Sequence, residues 1–228
     1  MDRLGDRLRR SGTPDKDDGE LFEAYRSSFD RAHHEVVGVL SSLAVSVTDA
    51  PTIATRRKTL ESTIAKLRRI RIRLSRIEDI AGCRVVLDGL AEQDLLLSRA
   101  LDSLDIVRRR DYRLAPDHGY RAVHLVVRST TGDRVEVQVR TRFQHGWANI
   151  SERIASIRDM EVKYGGGPTS VRDALDSLSE SLFHYDQFRT IADSADLERV
   201  LAHEVEVGVA ESILNDAVAS EWPGGSLP

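Results

Sequence analysis

The sequence predicts an α/β domain, of the α+β kind, with helical extensions at its N- and C-terminal ends. Short apolar or alternating runs of strand length fall between residues 83 and 141, and stretches with helical apolar spacing flank them on both sides. Turn signals, Asp88-Gly89 and Thr130-Thr131-Gly132-Asp133, separate the runs. A chain of 228 residues fits one core-bearing domain with helical extensions better than two independent ones.

Residues 1–18 mix charge with Gly, Ser and Pro without an apolar period, and read as a flexible tail. Over residues 19–50, Ala24, Tyr25, Phe29, Ala32, Val36, Val37, Leu40 and Leu43 recur at helical spacing, with Asp18 as candidate cap, and predict one long N-terminal helix. Pro51 interrupts the pattern, and a second helix is predicted from near Thr59, carrying Ile64, Leu67 and Ile70 on one side. Residues 83–87, CRVVL, predict a buried strand, residues 91–104 a helix and residues 105–112 a weaker strand. The loop LAPDHG leads into GYRAVHLVVRS, which the TTGD turn joins to RVEVQVRT as a β-hairpin. Beyond Phe143 the pattern is helical to residue 158, breaks at YGGGP, and resumes as helices over residues 171–191 and 197–218. The expected organisation is therefore a core over residues 51–160, C-terminal helices over 161–220 and a tail over 221–228.

The composition, 40% hydrophobic and 31% charged, is that of an ordinary globular protein, and no run of apolar residues is long enough to span a bilayer. With no secretory signal at the amino terminus, a cytoplasmic protein without a membrane partner is expected. The single Cys83 cannot form an internal disulfide, and within CRVVL it reads as a small buried hydrophobe rather than a catalytic thiol. A net charge of -4 argues against general adhesion to nucleic acid, so no DNA partner is expected. Locally the balance reverses: residues 56–76 hold nine Lys or Arg against Glu61 alone, a segment of +8.

Strand alternation turns Val135, Val137 and Val139 to one face and Glu136, Gln138 and Arg140 to the other. In the preceding run Tyr120, Ala122 and His124 share a face, so pairing the two valine-rich faces predicts Tyr120 and His124 beside Glu136, Gln138 and Arg140. That row reads equally as a ligand surface or a solvated sheet face. Arg56, Lys58, Ser62 and Lys66 offer three cations and a hydroxyl around a helix start, a sensible polyphosphate grip, although basic helix faces are more often plain surface and no P-loop occurs. Asp79 precedes a buried strand, and a second carboxylate, Glu136, on a neighbouring strand makes the pair a candidate divalent-cation site.

Five ordered blocks, Arg56-x-Lys58-x-x-x-Ser62-x-x-x-Lys66, Asp79-Ile-Ala-Gly-x-Arg84, Asp111-Tyr112, Gly119-Tyr120-Arg121-x-x-His124 and Glu136-Val-Gln138-Val-Arg140-Thr141, closely resemble the synthetase pattern of the RelA/SpoT family. The resemblance covers residues 56 to 147 and matches the small, stand-alone type. It implies a nucleotidyltransferase-like fold, a mixed sheet of about five strands flanked by helices. It also implies transfer of the β,γ-pyrophosphate of ATP to the 3′-hydroxyl of GDP or GTP, making (p)ppGpp. Carried over, Arg56 and Arg84 would sandwich adenine and Lys58, Ser62 and Lys66 would hold the ATP phosphates. Asp79 and Glu136 would be catalytic and coordinate Mg²⁺. Tyr120 would stack on guanine, with Arg121, His124, Gln138 and Arg140 completing the acceptor site.

The chain departs from the family pattern at Asp117, where a basic residue is usual, and at Ser151, where a Glu is; Glu152 stands one position away. Two further readings therefore stay open: a toxin-type enzyme that modifies the 3′ end of tRNA, with an antitoxin partner, and a member that binds nucleotide or protein with weakened catalysis. No His-Asp motif of the alarmone hydrolases occurs, and His33-His34 sits within a helical pattern without an Asp neighbour, so hydrolysis is not expected. The C-terminal helices suit either a homo-oligomer interface or a cover for the sheet.

Overall fold

The computed structural model describes residues 1–10, 14–158 and 165–191. Seven helices and five strands are assigned among them: α1 (Asp2–Arg10), α2 (Lys16–Ser27), α3 (Asp30–Val45), β1 (Thr52–Arg57), α4 (Leu60–Ile70), β2 (Ala81–Leu87), α5 (Leu90–Ser103), β3 (Asp105–Asp111), β4 (Val123–Arg128), β5 (Arg134–Thr141), α6 (Arg142–Arg158) and α7 (Thr169–Ile191). The strands form one mixed sheet in the order β1-β2-β5-β4-β3, the α+β class with five strands that the sequence predicts. The predicted helix over residues 197–218 lies outside the described residues.

The chain divides into two compact units, one of Met1–Val85, Leu96–Arg110 and His124–Val139, the other of Val86–Leu95, Asp111–Val123 and the residues from Arg140 on. In the first unit Leu4, Leu8, Phe22, Phe29, Ile64, Leu67, Leu74, Ile77 and Ile80 share one apolar cluster. Along β5 the expected alternation holds: Val135, Val137 and Val139 are fully buried while Glu136 and Gln138 are partly open. In the second unit α6 and α7 pack through Trp147, Ala148, Ile154, Val171, Leu175, Leu178 and Leu182.

The amino-terminal segment departs from expectation. Residues 1–18, read as a flexible tail, include α1, whose Leu4 and Leu8 lie one turn apart on a buried face. Gly5 lets this helix approach closely, since a Cβ there would lie 2.8 Å from Leu74 Cβ, and Arg7 bonds Asp18 at 2.8 Å through Nε. The single helix predicted over residues 19–50 is two helices, α2 and α3, separated at Ser28-Phe29. The cap of α2 is Asp15, which accepts from the Asp18 N–H at 2.7 Å, and not Asp18. α4 starts where expected, with Thr59 as its cap. β1 was not expected, and β4 begins at Val123, so Tyr120 is not part of a strand.

Candidate active site

In the first unit the chain runs from β1 directly into α4. The Lys58 N–H donates to Ile80 O at 3.0 Å, which ties the end of β1 to the segment before β2 and sets Lys58 beside Asp79. Lys58 Nζ reaches Asp79 Oδ2 at 2.9 Å and Lys66 Nζ, from α4, reaches Asp79 Oδ1 at 2.8 Å. Burial disfavours the Asp79 carboxylate, but the two ammonium groups outweigh it and hold the carboxyl below its ordinary range. Ser62 stands in the first turn of α4, where its N–H donates to the capping hydroxyl of Thr59 at 3.2 Å.

Asp79, Lys66 and Glu136 line one cavity of about 360 Å³, together with His124, Glu78 and Arg76. That volume suits a substrate-sized ligand. Glu136 accepts from Gln138 Nε2 at 3.0 Å, and His124 Nδ1 lies 3.4 Å from its other oxygen. Burial pushes against ionisation here as well, and the bonds from His124 and Gln138 overcome it, so this carboxyl too lies below its ordinary range. Two ionised carboxylates on one polar cavity fit a hard divalent cation, which takes one or two carboxylates and completes its shell with water and substrate oxygens. Among the described residues no group of three His, Cys, Asp or Glu gathers into a closed metal cage.

Arg56 is exposed on β1 and Arg84 half-buried on β2, adjacent strands of the sheet; neither lines the cavity. Sequence reasoning missed Glu78, which bonds Arg108 and Arg134 at 2.6 Å each and shares the cavity wall with both. Its position next to Asp79 was the only signal, because an isolated Glu before a strand has no distinguishing pattern.

The second unit gathers Tyr120 and Arg140. Arg140, 3% exposed, donates from Nη2 to Tyr120 Oη at 2.9 Å, with its guanidinium carbon 5.1 Å from the ring centroid. Tyr112 and Trp147 pack on Tyr120 at centroid distances of 5.9 and 6.3 Å. Gly119 enters this loop at φ +76°, and a Cβ there would lie 2.7 Å from the Trp147 ring, so only glycine fits. Within the row expected from the hairpin, Tyr120 and Arg140 meet directly, as do His124, Glu136 and Gln138. His124, Glu136 and Gln138 cluster in the first unit, Tyr120 and Arg140 in the second.

Arg121, assigned by resemblance to acceptor phosphates, is 6% exposed and bonds protein groups through each of its three nitrogens: Nε donates to Ser179 Oγ at 3.0 Å, the Nη groups bond Arg113 O and Glu180, and Phe183 packs 4.2 Å from its carbon. It is a strut between the loop before β4 and α7. Ser151 is buried on α6, with Glu152 exposed beside it.

Residues 55–156 match the model of the region found in RelA/SpoT proteins. This chain carries a RelA/SpoT-family domain. Uncharacterized proteins of Mycobacterium tuberculosis and Mycobacterium bovis are 37% identical over 120 residues, 51% of this chain and 44% of theirs, so the chain spans less than half the length of these curated relatives. The small alarmone synthetase 1 of Bacillus subtilis superposes with a TM-score of 0.63 at 26% identity, covering 75% of this chain and 95% of that one. The same protein bound to its product pppGpp gives 0.61 at 25% identity, covering 77% and 96%. A GTP pyrophosphokinase family protein from Streptococcus pneumoniae, at 0.60 and 21% identity over 82% and 98%, shares the fold. No described helix of this chain is long and apolar enough to cross a membrane.

Proposed function

We propose that this chain is an ATP-dependent pyrophosphotransferase that makes (p)ppGpp from GDP or GTP. The observation that carries the reading is the presence of Asp79 and Glu136, both with carboxyls held below their ordinary range, on one cavity that Lys66 also lines, with Lys58 bonded to Asp79. The product bound to the Bacillus relative supports a guanosine acceptor.

In this reading Lys58 and Lys66 exchange part of their contact with Asp79 for the ATP phosphates, helped by Ser62 and the amino end of α4. Arg56 and Arg84, on neighbouring strands, flank the adenine. Asp79 and Glu136 would hold Mg²⁺, which when bound would neutralise charge on the phosphates. Glu136, aligned by Gln138 and His124, accepts the proton of the acceptor 3′-hydroxyl as its oxygen bonds to the β-phosphorus. The bond from that phosphorus to the α,β-bridging oxygen breaks, and AMP leaves. Tyr120, backed by Arg140, presents a ring for the guanine.

Incubation with γ-labelled ATP, Mg²⁺ and, separately, GDP, GTP or deacylated tRNA tests this reading. Label on GDP or GTP supports it. Label on tRNA assigns the toxin-type activity instead, and ATP binding without transfer to any acceptor leaves a binding module.

A further inference from the structure

We propose that His33 and Glu35 of α3 are positioning residues that clamp the strand carrying Glu136, one from its β2 flank and the other at the turn that leads into it. The proposal rests on the reading of Glu136 as the proton-accepting carboxylate. Glu136 sits on β5, between β2 and β4. On the β2 side the seam is unusually close at this residue: a Cβ on Gly82 would lie 2.9 Å from Glu136 O and 3.6 Å from Glu136 Cβ. A contact that tight transmits any shift of β2 directly to Glu136.

His33 prevents that shift. It is 6% exposed, and its Nε2 lies 3.0 Å from Gly82 O. A carbonyl oxygen only accepts, so Nε2 carries the proton and donates, a defined tautomer in a buried place. The turn leading into β5 is held from the same helix. The Glu35 carboxylate accepts from the Thr130 N–H at 2.9 Å and from Thr130 Oγ1 at 2.6 Å, gripping the β4–β5 turn just before β5 begins at Arg134. One rigid helix thus bonds the strand beside Glu136 and the turn that feeds its own strand. Both residues precede residues 55–156, so α3 supports the site from beyond the region that the family model covers.

Because a misplacement of about 1 Å costs up to about a hundredfold in rate, loosening either bond should appear as lost turnover rather than lost affinity. The test compares the wild type with H33L, H33Q and E35A by backbone hydrogen exchange over residues 134–139, thermal unfolding, and pyrophosphate transfer. H33L and E35A are expected to speed β5 exchange and lower kcat by about tenfold, with KM for ATP within about twofold, while H33Q, which keeps a donor toward Gly82, recovers most of both. Unchanged β5 exchange in H33L and E35A overturns the clamp. So does a loss in H33Q as large as in H33L, or a loss of activity that only follows thermal stability. Should H33L fail to fold, E35A and H33Q decide alone. A wild type that transfers nothing overturns the functional reading, and hydrogen exchange still decides the clamp.

Discussion

Lys66 Nζ lies 2.8 Å from Asp79 Oδ1, so the cation proposed to hold phosphate is paired with the carboxylate proposed to hold a metal. With Lys58 on the other oxygen, Asp79 has its charge compensated, and under the proposed function nucleotide with its cation would re-partition these contacts instead of meeting bare charges. Replacing Lys66 by Met is expected to raise KM for ATP by about tenfold, the loss of one charge-assisted contact. It should also raise the Asp79 pKa toward its ordinary value, moving the acid limb of the pH–rate profile to higher pH. Initial rates across pH 4 to 8 check both effects.

The stability of the α6–α7 pair should depend on pH through Asp186. This carboxyl is 1% exposed and accepts from Thr141 Oγ1, and burial, partly offset by that bond, pushes its pKa up from 3.8 to about 6. Folded protein therefore binds this proton more tightly than unfolded chain. The stabilisation is fully present below pH 3.8 and lost as pH rises to about 6. Asp186→Asn should remove that decline and leave the variant more stable than wild type at pH 7 by up to about 3 kcal/mol, read from urea unfolding at several pH values.

Gly119→Ala should destabilise the protein by about 2–4 kcal/mol, because it combines a left-handed backbone with a Cβ driven into the Trp147 ring. Chemical denaturation measures the loss. Tyr120 fluorescence quenching by guanosine nucleotides should weaken in parallel.

Cys83 should be inert in the folded protein. Burial, assisted by the nearby Glu136 charge, pushes its thiol pKa up to about 12, so almost no thiolate forms at neutral pH. A thiol reagent should label it at the rate of unfolding, and activity should survive exposure to the reagent under native conditions.

Much of the fold was legible because burial imposes periodicity. The alternation of Val135, Val137 and Val139 disclosed β5, and the run at residues 83–87 disclosed β2. β1 left no such trace: its sequence TIATRR is largely exposed at the edge of the sheet, with no buried face to mark it. α1 escaped because Leu4 and Leu8 are only two apolar contacts, too few to establish a period before their partners near Leu74 are known. In the site, Lys58, Lys66, Asp79 and Glu136 were legible as charges in ordered blocks. The partners of Arg121 were not legible, because nothing local distinguishes an arginine aimed at a ligand from one aimed at Ser179 and Glu180 some sixty residues later.

Single-turnover transfer from γ-labelled ATP to GDP, comparing wild type with Glu136→Gln, bears most directly on Glu136 as the carboxylate that activates the acceptor. Wild type should release AMP in step with labelled guanosine product. The Glu136→Gln variant should lose at least about a hundredfold in rate while still binding ATP. Equal rates in the two proteins, or release of ADP in place of AMP, would contradict the assignment of pyrophosphate transfer to the Asp79–Glu136 cavity.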